Sequence, residues 1–333
     1  MNRTKENIIT MALNRTFTLN TSAKIPAVGF GTWQAAPREV ERAVEVALRT
    51  GYRHIDCAAI YRNEQEVGNG IKNSGVKRED IFITGKLWNT KHRPEDVEGA
   101  LDKTLADLGV EYVDLYLMHW PCAFKPGNKF FPLDSNGVFE LDGVDASVTW
   151  KAMEGLLKTG KTRAIGVSNF NIRRLESLLA TAIVIPSVNQ IEIHPYLQQP
   201  SLFSFCKQHG IVLTAYSPLG NNQTGESRTV DDAKVHEVAK TLGKDPGQVL
   251  VSWGVQRGHV VLPKSVTASR IESNFQDFVV PDEQMQELYA LERHKRFNFP
   301  ARWGFDIFDE AGEDFVKKAA LDAGEENKTK FTV

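Results

Sequence analysis

The stretch IFITGKLWNTKHRPEDVEGALDKTLADLGVEYVDLYLMH, residues 81–119, decides the fold. It opens on Ile81–Lys86 and closes on Val113–Met118, two runs too short for helices and mostly continuous in apolar character. Continuous runs suit parallel strands buried on both faces. Between them, Val97, Ala100, Leu101, Leu105 and Leu108 fall on one face of a helix predicted over Pro94–Leu108. Pro94 suits the first turn and Gly109 stands just past the end. Strand, helix, strand implies parallel pairing, because a parallel neighbour needs a crossover.

The same unit recurs along the chain. Val28–Phe30, His54–Asp56, Ala164–Ser168, Ser187–Glu192, Val212–Ala215 and Val260–Leu262 bring the short runs to eight. Helical spacing fills the intervals at Pro37–Leu48, Val148–Thr159, Ile172–Ala180, Ser201–His209, Asp231–Leu242, Pro246–Gln256, Ser269–Gln276 and Asp282–Arg293. Eight strands in about 290 residues predict an α/β protein of one closed (β/α)8 TIM barrel. A hairpin, Phe17–Leu19 and Lys24–Pro26 around Asn20-Thr21-Ser22, is expected ahead of it. The expected division is an N-terminal extension over 1–14, one barrel domain over 15–308 with an irregular C-terminal loop, and a charged, mobile tail over 309–333. Pro121–Val144, rich in Phe, Pro, Gly and Asn, fits no plain strand–helix unit. It follows the fourth strand, and loops after barrel strands build active sites, so it is a candidate substrate loop.

Composition excludes several classes. Forty basic residues against 42 acidic ones leave a net charge of −2, which gives no electrostatic case for nucleic acid or an anionic membrane. No apolar run approaches the eighteen or so residues of a membrane span, and Met1–Thr10 lacks the apolar core of a secretory signal. A cytoplasmic monomer is expected. Cys57, Cys122 and Cys206 are too few and too scattered for a disulfide framework or a four-cysteine zinc site.

Cofactor signals are weak where they are usually sought. Gly29-Phe30-Gly31 lacks a third glycine, Gln34 standing in its place. Gly68-Asn69-Gly70 follows a helix-like run and also lacks the third glycine, so both read as turn or helix-packing glycines. Leu262-Pro263-Lys264-Ser265-Val266 ends the eighth strand, with Arg270 and Asn274 on the next helix. A lysine, a hydroxyl, an arginine and an amide at a helix start suit a phosphate, and barrels often bind phosphate after strands seven and eight.

Four polar residues fall at or just beyond strand ends: Asp56, Tyr61, Lys86 and His119. Singly they read as a cap, a packed ring, a solvated cation and a structural histidine. Together, on three successive strands, they face one barrel mouth. A phenol is a poor acid at neutral pH; a nearby ammonium lowers its pKa, and a carboxylate keeps that ammonium in place. A neutral imidazole would orient a carbonyl oxygen. This is a proton-donor site suited to protonating an alkoxide as hydride arrives. His119 has no partner at metal-ligand spacing, so no metal is expected.

With Gly29-Phe30-Gly31-Thr32-Trp33, His54 to Glu64, Lys86-Leu87-Trp88, His119-Trp120-Pro121, Gly166 to Phe170, Asn189-Gln190 with His194-Pro195, Tyr216 to Gly220 and Pro263-Lys264-Ser265, the chain resembles the aldo-keto reductase family, in the family's order and over about residues 15–300. The resemblance implies a barrel that binds NADP(H) without a Rossmann domain. It implies Tyr61 as acid/base, Asp56 and Lys86 as its tuning pair, and His119 as the residue that orients the carbonyl. It implies Ser168, Asn169 and Gln190 on the carboxamide, Tyr216 stacked on the nicotinamide, and Ser217 and Leu219 at the pyrophosphate. Lys264, Ser265 and Arg270 would clamp the 2′-phosphate, with Gly31, Thr32, Trp33, Asp56, Val266 and Asn274 also at the cofactor. Gly85 and Ser273 depart from the Ser and Glu common in the family, the second at the adenine contact.

Trp33, Tyr61, His119, Trp120 and Trp303 are the expected substrate residues, with Phe124 a further candidate wall; Phe130 and Phe131 read as core. The Trp120–Pro126 stretch and Arg296-Phe297-Asn298 look most like fungal NADP-dependent glycerol dehydrogenases and glyceraldehyde reductases, which implies a small carbonyl or polyol substrate. An aldose reductase of the xylose type and a non-catalytic NADP(H)-binding redox sensor are the alternatives. A barrel hydrolase or isomerase would place paired carboxylates or a metal at the mouth, and neither arrangement is present in the sequence.

Overall fold

The computed structural model describes residues 15–34, 36, 38–221 and 225–331. The expected extension over 1–14 and the helix-opening Pro37 lie outside them. Eight parallel strands run Phe30–Gly31, His54–Asp56, Phe82–Leu87, Leu115–Met118, Ile165–Ser168, Val188–Glu192, Val212–Tyr216 and Val260–Val261. Each pairs with its sequence neighbour. The ring closes where Val28 bridges in parallel to Val261, with Gly29 N donating to Val261 O at 2.9 Å and Val261 N to Ala27 O at 2.8 Å. The fold is the (β/α)8 barrel that the alternation predicts.

The helices pack outside the strands through the faces their spacing marks. Glu39–Thr50 buries Val40, Ala43, Val44, Ala47 and Leu48, and Gly51 ends it at φ 125°, which only glycine adopts freely. Gly68-Asn69-Gly70 lies inside a helix, Glu64–Ser74, rather than after one. A Cβ on Gly68 would stand 2.3 Å from the Leu108 carbonyl oxygen, and one on Gly70 2.5 Å from that of Glu41. These glycines let three helices approach and have no part in a dinucleotide fingerprint.

The leading hairpin pairs Thr16–Thr18 with Lys24–Pro26, one residue earlier on its first strand than predicted. Leu19 belongs to the turn, its N–H donating to Ala23 O at 2.9 Å. Its side chain and that of Ile25 cap the barrel floor among Phe82, Leu115, Leu117, Val188, Val260 and Leu262. The active end is therefore the opposite one.

The C-terminal segment corrects an expectation. In place of a mobile tail, Glu313–Asp322 and Gly324–Phe331 are helices. The first turns in only Val316 and Ala320, a stripe too narrow to show through its charges. The second is fixed at its far end. Asn327 is fully buried and donates to Gly137 O at 3.0 Å, while the Phe331 ring centroid lies 4.5 Å from that of Phe131. Both contacts fall on the Pro121–Val144 loop, whose short strands Ala123–Phe124 and Leu141–Asp142 pair antiparallel.

Candidate active site

Asp56 ends the second strand, Lys86 lies in the third, and His119 follows the fourth, so all three side chains reach the same mouth. Tyr61 reaches it from a single 3-10 turn, Ala59–Tyr61, after the second strand. Lys86 is fully buried, and its ammonium donates to Asp56 Oδ1 at 2.5 Å, Cys57 O at 3.0 Å and the Tyr61 hydroxyl at 3.2 Å. An ammonium has three protons, and all three are engaged. The Tyr61 oxygen accepts from Lys86, which leaves its own O–H free to donate outward.

Charge in this cluster follows burial. Burial acts to lower the Lys86 pKa, but Asp56 and Tyr61 outweigh it and the net shift is upward. For Tyr61, burial raises the pKa and Lys86 opposes it; the phenol ends at about 12. The net direction is opposite to the expected lowering, because loss of water disfavours phenolate more than the ammonium favours it. His119 is driven well below its usual value by burial first, then by Lys86 and His92. Its imidazole is neutral, as the carbonyl-orienting reading requires. Its Nδ1 is buried with no partner among the described residues.

A hydrogen-bonded ring joins this cluster to the next three strands. Gln190 Nε2 donates to Asp56 Oδ2 at 2.7 Å, and Ser168 Oγ to Gln190 O at 2.8 Å. Asn169 Nδ2 donates to Ser168 Oγ and His119 O, both at 3.0 Å, while Tyr216 donates to Asn169 Oδ1 at 2.7 Å. Asn169 holds φ 65°, a left-handed backbone that asparagine tolerates, and this aims its amide inward. Thr32 Oγ1 donates to Asp56 O at 2.9 Å and so fixes the first strand against the second. Gly31 beside it lies close to the Lys264 stem, where an added Cβ would stand 3.6 Å from Lys264 Cβ.

The basic group after the eighth strand lies further out. Lys264 is half-buried and donates to Gln34 O at 2.9 Å. Ser265 Oγ accepts from Thr267 N at 3.1 Å, Val266 and Arg270 are exposed, and Asn274 is buried. Neither Lys264 nor Arg270 forms an ion pair among the described residues, so both keep charge for an anion. At the other end Ser168 Oγ and Asn169 Oδ1 keep acceptor capacity and Gln190 keeps one amide N–H, so the residues present suit a 2′-phosphorylated nicotinamide dinucleotide.

The aromatic residues divide into rim and core. Trp33 is 43% exposed and lies 4.8 Å from the Tyr61 ring. Trp120 is half-buried and meets Trp303 edge-on at 5.0 Å. Phe124 and Trp303 are buried, with Phe124 1% exposed, so Phe124 supports the wall from behind. Trp88, which packs 5.4 Å from His119, enters the sequence reading only as part of the Lys86-Leu87-Trp88 motif, with no site role; its Nε1 donates to Phe130 O at 2.6 Å and ties the 121–144 loop to the site. Glu192 was also missed. Its only sequence signal is a carboxylate closing an apolar strand.

Glu64 lies behind the cluster, bonded weakly to Thr104 Oγ1 at 3.4 Å, with its other oxygen unpartnered. Burial pushes its carboxyl up to about 7, against a pull from Thr104. A folded-state pKa above the unfolded value gives a contribution that is whole below about pH 4.5 and is lost as pH rises through about 7. The Glu64→Gln protein is therefore expected to gain on wild type across that window, by up to ~3 kcal/mol at pH 8. Urea midpoints of both proteins from pH 4 to 8 check this; parallel profiles would contradict it.

Comparison with known proteins agrees with this geometry. Residues 27–293 match the Aldo/keto reductase family. Aldo-keto reductase family 1 member A1 of Xenopus tropicalis is 50% identical over 295 residues, covering 85% of this chain and 90% of that protein. D/L-glyceraldehyde reductase of Hypocrea jecorina is 48% identical over 329 residues, covering 93% of this chain and 99% of that protein. Among solved structures, the aldose reductase from Schistosoma japonicum superposes with a TM-score of 0.84 at 42% identity, over 89% of this chain and 99% of that one. The eight-stranded barrel and these relatives together establish that the chain is an oxidoreductase that belongs to the aldo/keto reductase family.

Proposed function

We propose that this enzyme uses NADPH to reduce the carbonyl of small hydroxy-aldehydes or hydroxy-ketones, with the glyceraldehyde or dihydroxyacetone and glycerol couples as its substrates. NADPH, when bound, supplies the hydride. Tyr61 gives the proton to the carbonyl oxygen. Lys86 then faces the phenolate left behind, and Asp56 keeps Lys86 charged and in place. His119, neutral, directs an N–H at the same oxygen and sets the face presented. Ser168, Asn169 and Gln190 would hold the carboxamide, Tyr216 the nicotinamide face, and Ser217 and Leu219 the pyrophosphate. Trp33, Trp120 and Trp303 would exclude water from the carbonyl. The observation that carries this reading is the Lys86 ammonium with all three protons engaged, which leaves the Tyr61 proton free.

Substrate choice rests on the likeness to D/L-glyceraldehyde reductase along nearly the whole chain. NADPH oxidation across glyceraldehyde, dihydroxyacetone, xylose, glucuronate and an aromatic aldehyde tests it. Highest kcat/KM on glyceraldehyde is expected; equal or better use of xylose would make the enzyme an aldose reductase.

Preference for NADPH over NADH rests on Lys264 and Arg270. Each supplies a charge-assisted contact to a dianionic phosphate. Lys264→Ala and Arg270→Ala are each expected to raise the KM for NADPH roughly ten- to hundredfold, with the KM for NADH almost unchanged. Wild-type kinetics with NADPH in both variants would remove the clamp from this reading.

A further inference from the structure

Residues 295–298 of the C-terminal segment run beside the turn that follows Tyr216, and one buried carboxylate organises their contact. Glu192, at the end of the sixth strand, is fully buried. Its Oε1 accepts from Phe297 N at 2.7 Å and faces His194 Nε2 at 2.8 Å; its Oε2 accepts from Asn298 N and Asn298 Nδ2, both at 2.8 Å. Burial alone would neutralise this carboxyl, yet the donors around it hold it below its usual range. A buried charge sustained by hydrogen bonds is costly, and here it fixes the Asn298 amide in one orientation.

That amide bridges outward. Asn298 Oδ1 accepts from Asn221 Nδ2 at 2.8 Å, and its Nδ2 also lies 3.3 Å from Ser217 Oγ. Ser217 holds φ 48°, a left-handed backbone that serine does not favour, so its position needs outside support. Lys295 pairs with Glu226 across the same seam. The two ends of the 217–221 turn are thus fastened to one side chain of the tail.

We infer that Asn298, set by Glu192, is a positioning residue that clasps the 217–221 turn against the cofactor's pyrophosphate, so that the tail sets how tightly NADPH is held. This rests on the NADPH reading above. The test is NADPH titration by protein fluorescence, with stopped-flow release, on the full chain as wild type, Asn221→Ala, Asn298→Ala and the double variant. Each single change is expected to raise the Kd for NADPH about tenfold, through faster release. The double is expected to be no worse than the weaker single, because the same clasp is broken twice. The KM for NADPH should follow the Kd while the KM for the carbonyl substrate stays within about twofold, a split that general loosening of the fold would not give. Asn221→Ala leaves the buried carboxylate untouched and keeps the test valid if Asn298→Ala folds poorly. Wild-type Kd and release rate in Asn221→Ala, or strictly additive losses in the double, would overturn the clasp. A wild-type protein that fails to bind NADPH would overturn the cofactor reading, and the clasp with it.

Discussion

Tyr61→Phe is expected to lower the rate of carbonyl reduction by roughly 10²–10⁴ while NADPH still binds. The change deletes one oxygen, the atom that accepts from Lys86. The ring remains to pack 4.8 Å from Trp33 and 5.9 Å from His119. Fluorescence titration with NADPH and single-turnover NADPH oxidation separate the two effects. A variant that retained more than about a tenth of the rate would show that another group donates the proton. The pH dependence has a definite sign. With Tyr61 as the proposed donor, reduction is expected to persist until pH rises towards its pKa, pushed up to about 12 by burial. On the same proposal alcohol oxidation would need the phenolate and should climb with pH over the neutral and alkaline range.

Lys86→Met is the second large effect, and it acts on stability as well as turnover. Lys86 fills a fully buried position, so methionine matches its length, but Asp56 loses the cation 2.5 Å from its Oδ1. An uncompensated buried carboxylate costs about 3–5 kcal/mol. The expected result is that loss of stability together with a fall in kcat comparable to that of Tyr61→Phe. The double variant Asp56→Asn, Lys86→Met removes both charges and should regain most of the stability and none of the activity. Urea unfolding and steady-state kinetics on all three proteins give the comparison. A double variant as unstable as Lys86→Met would mean that the pair's hydrogen bonds, rather than the unbalanced charge, dominate.

The repeated strand–helix unit was legible in the sequence because each element carries its own period. Pro94–Leu108 is bounded as predicted, since Pro94 and Gly109 mark both ends locally. Asp56, Tyr61, Lys86 and His119 were legible as strand-end polar residues. Their bonding was not. Gln190 meets Asp56 across 134 positions, a pairing that only the closed ring creates. The Tyr61 pKa was read in the wrong direction for a related reason: the partner is visible in sequence, but the loss of water around the ring is not. The two C-terminal helices escaped notice because Asn327 and Phe331 are held by a distant loop, and no local pattern announces a partner 190 residues away.

That last contact also joins two segments made far apart in time. The 121–144 loop, through Phe131 and Gly137, is braced by Phe331 and Asn327, which are synthesised nearly 200 residues after it. The 121–144 loop therefore lacks this brace until residues 324–331 have been made. Removal of residues 324–331 is therefore expected to leave the barrel strands paired and the 121–144 loop without its brace.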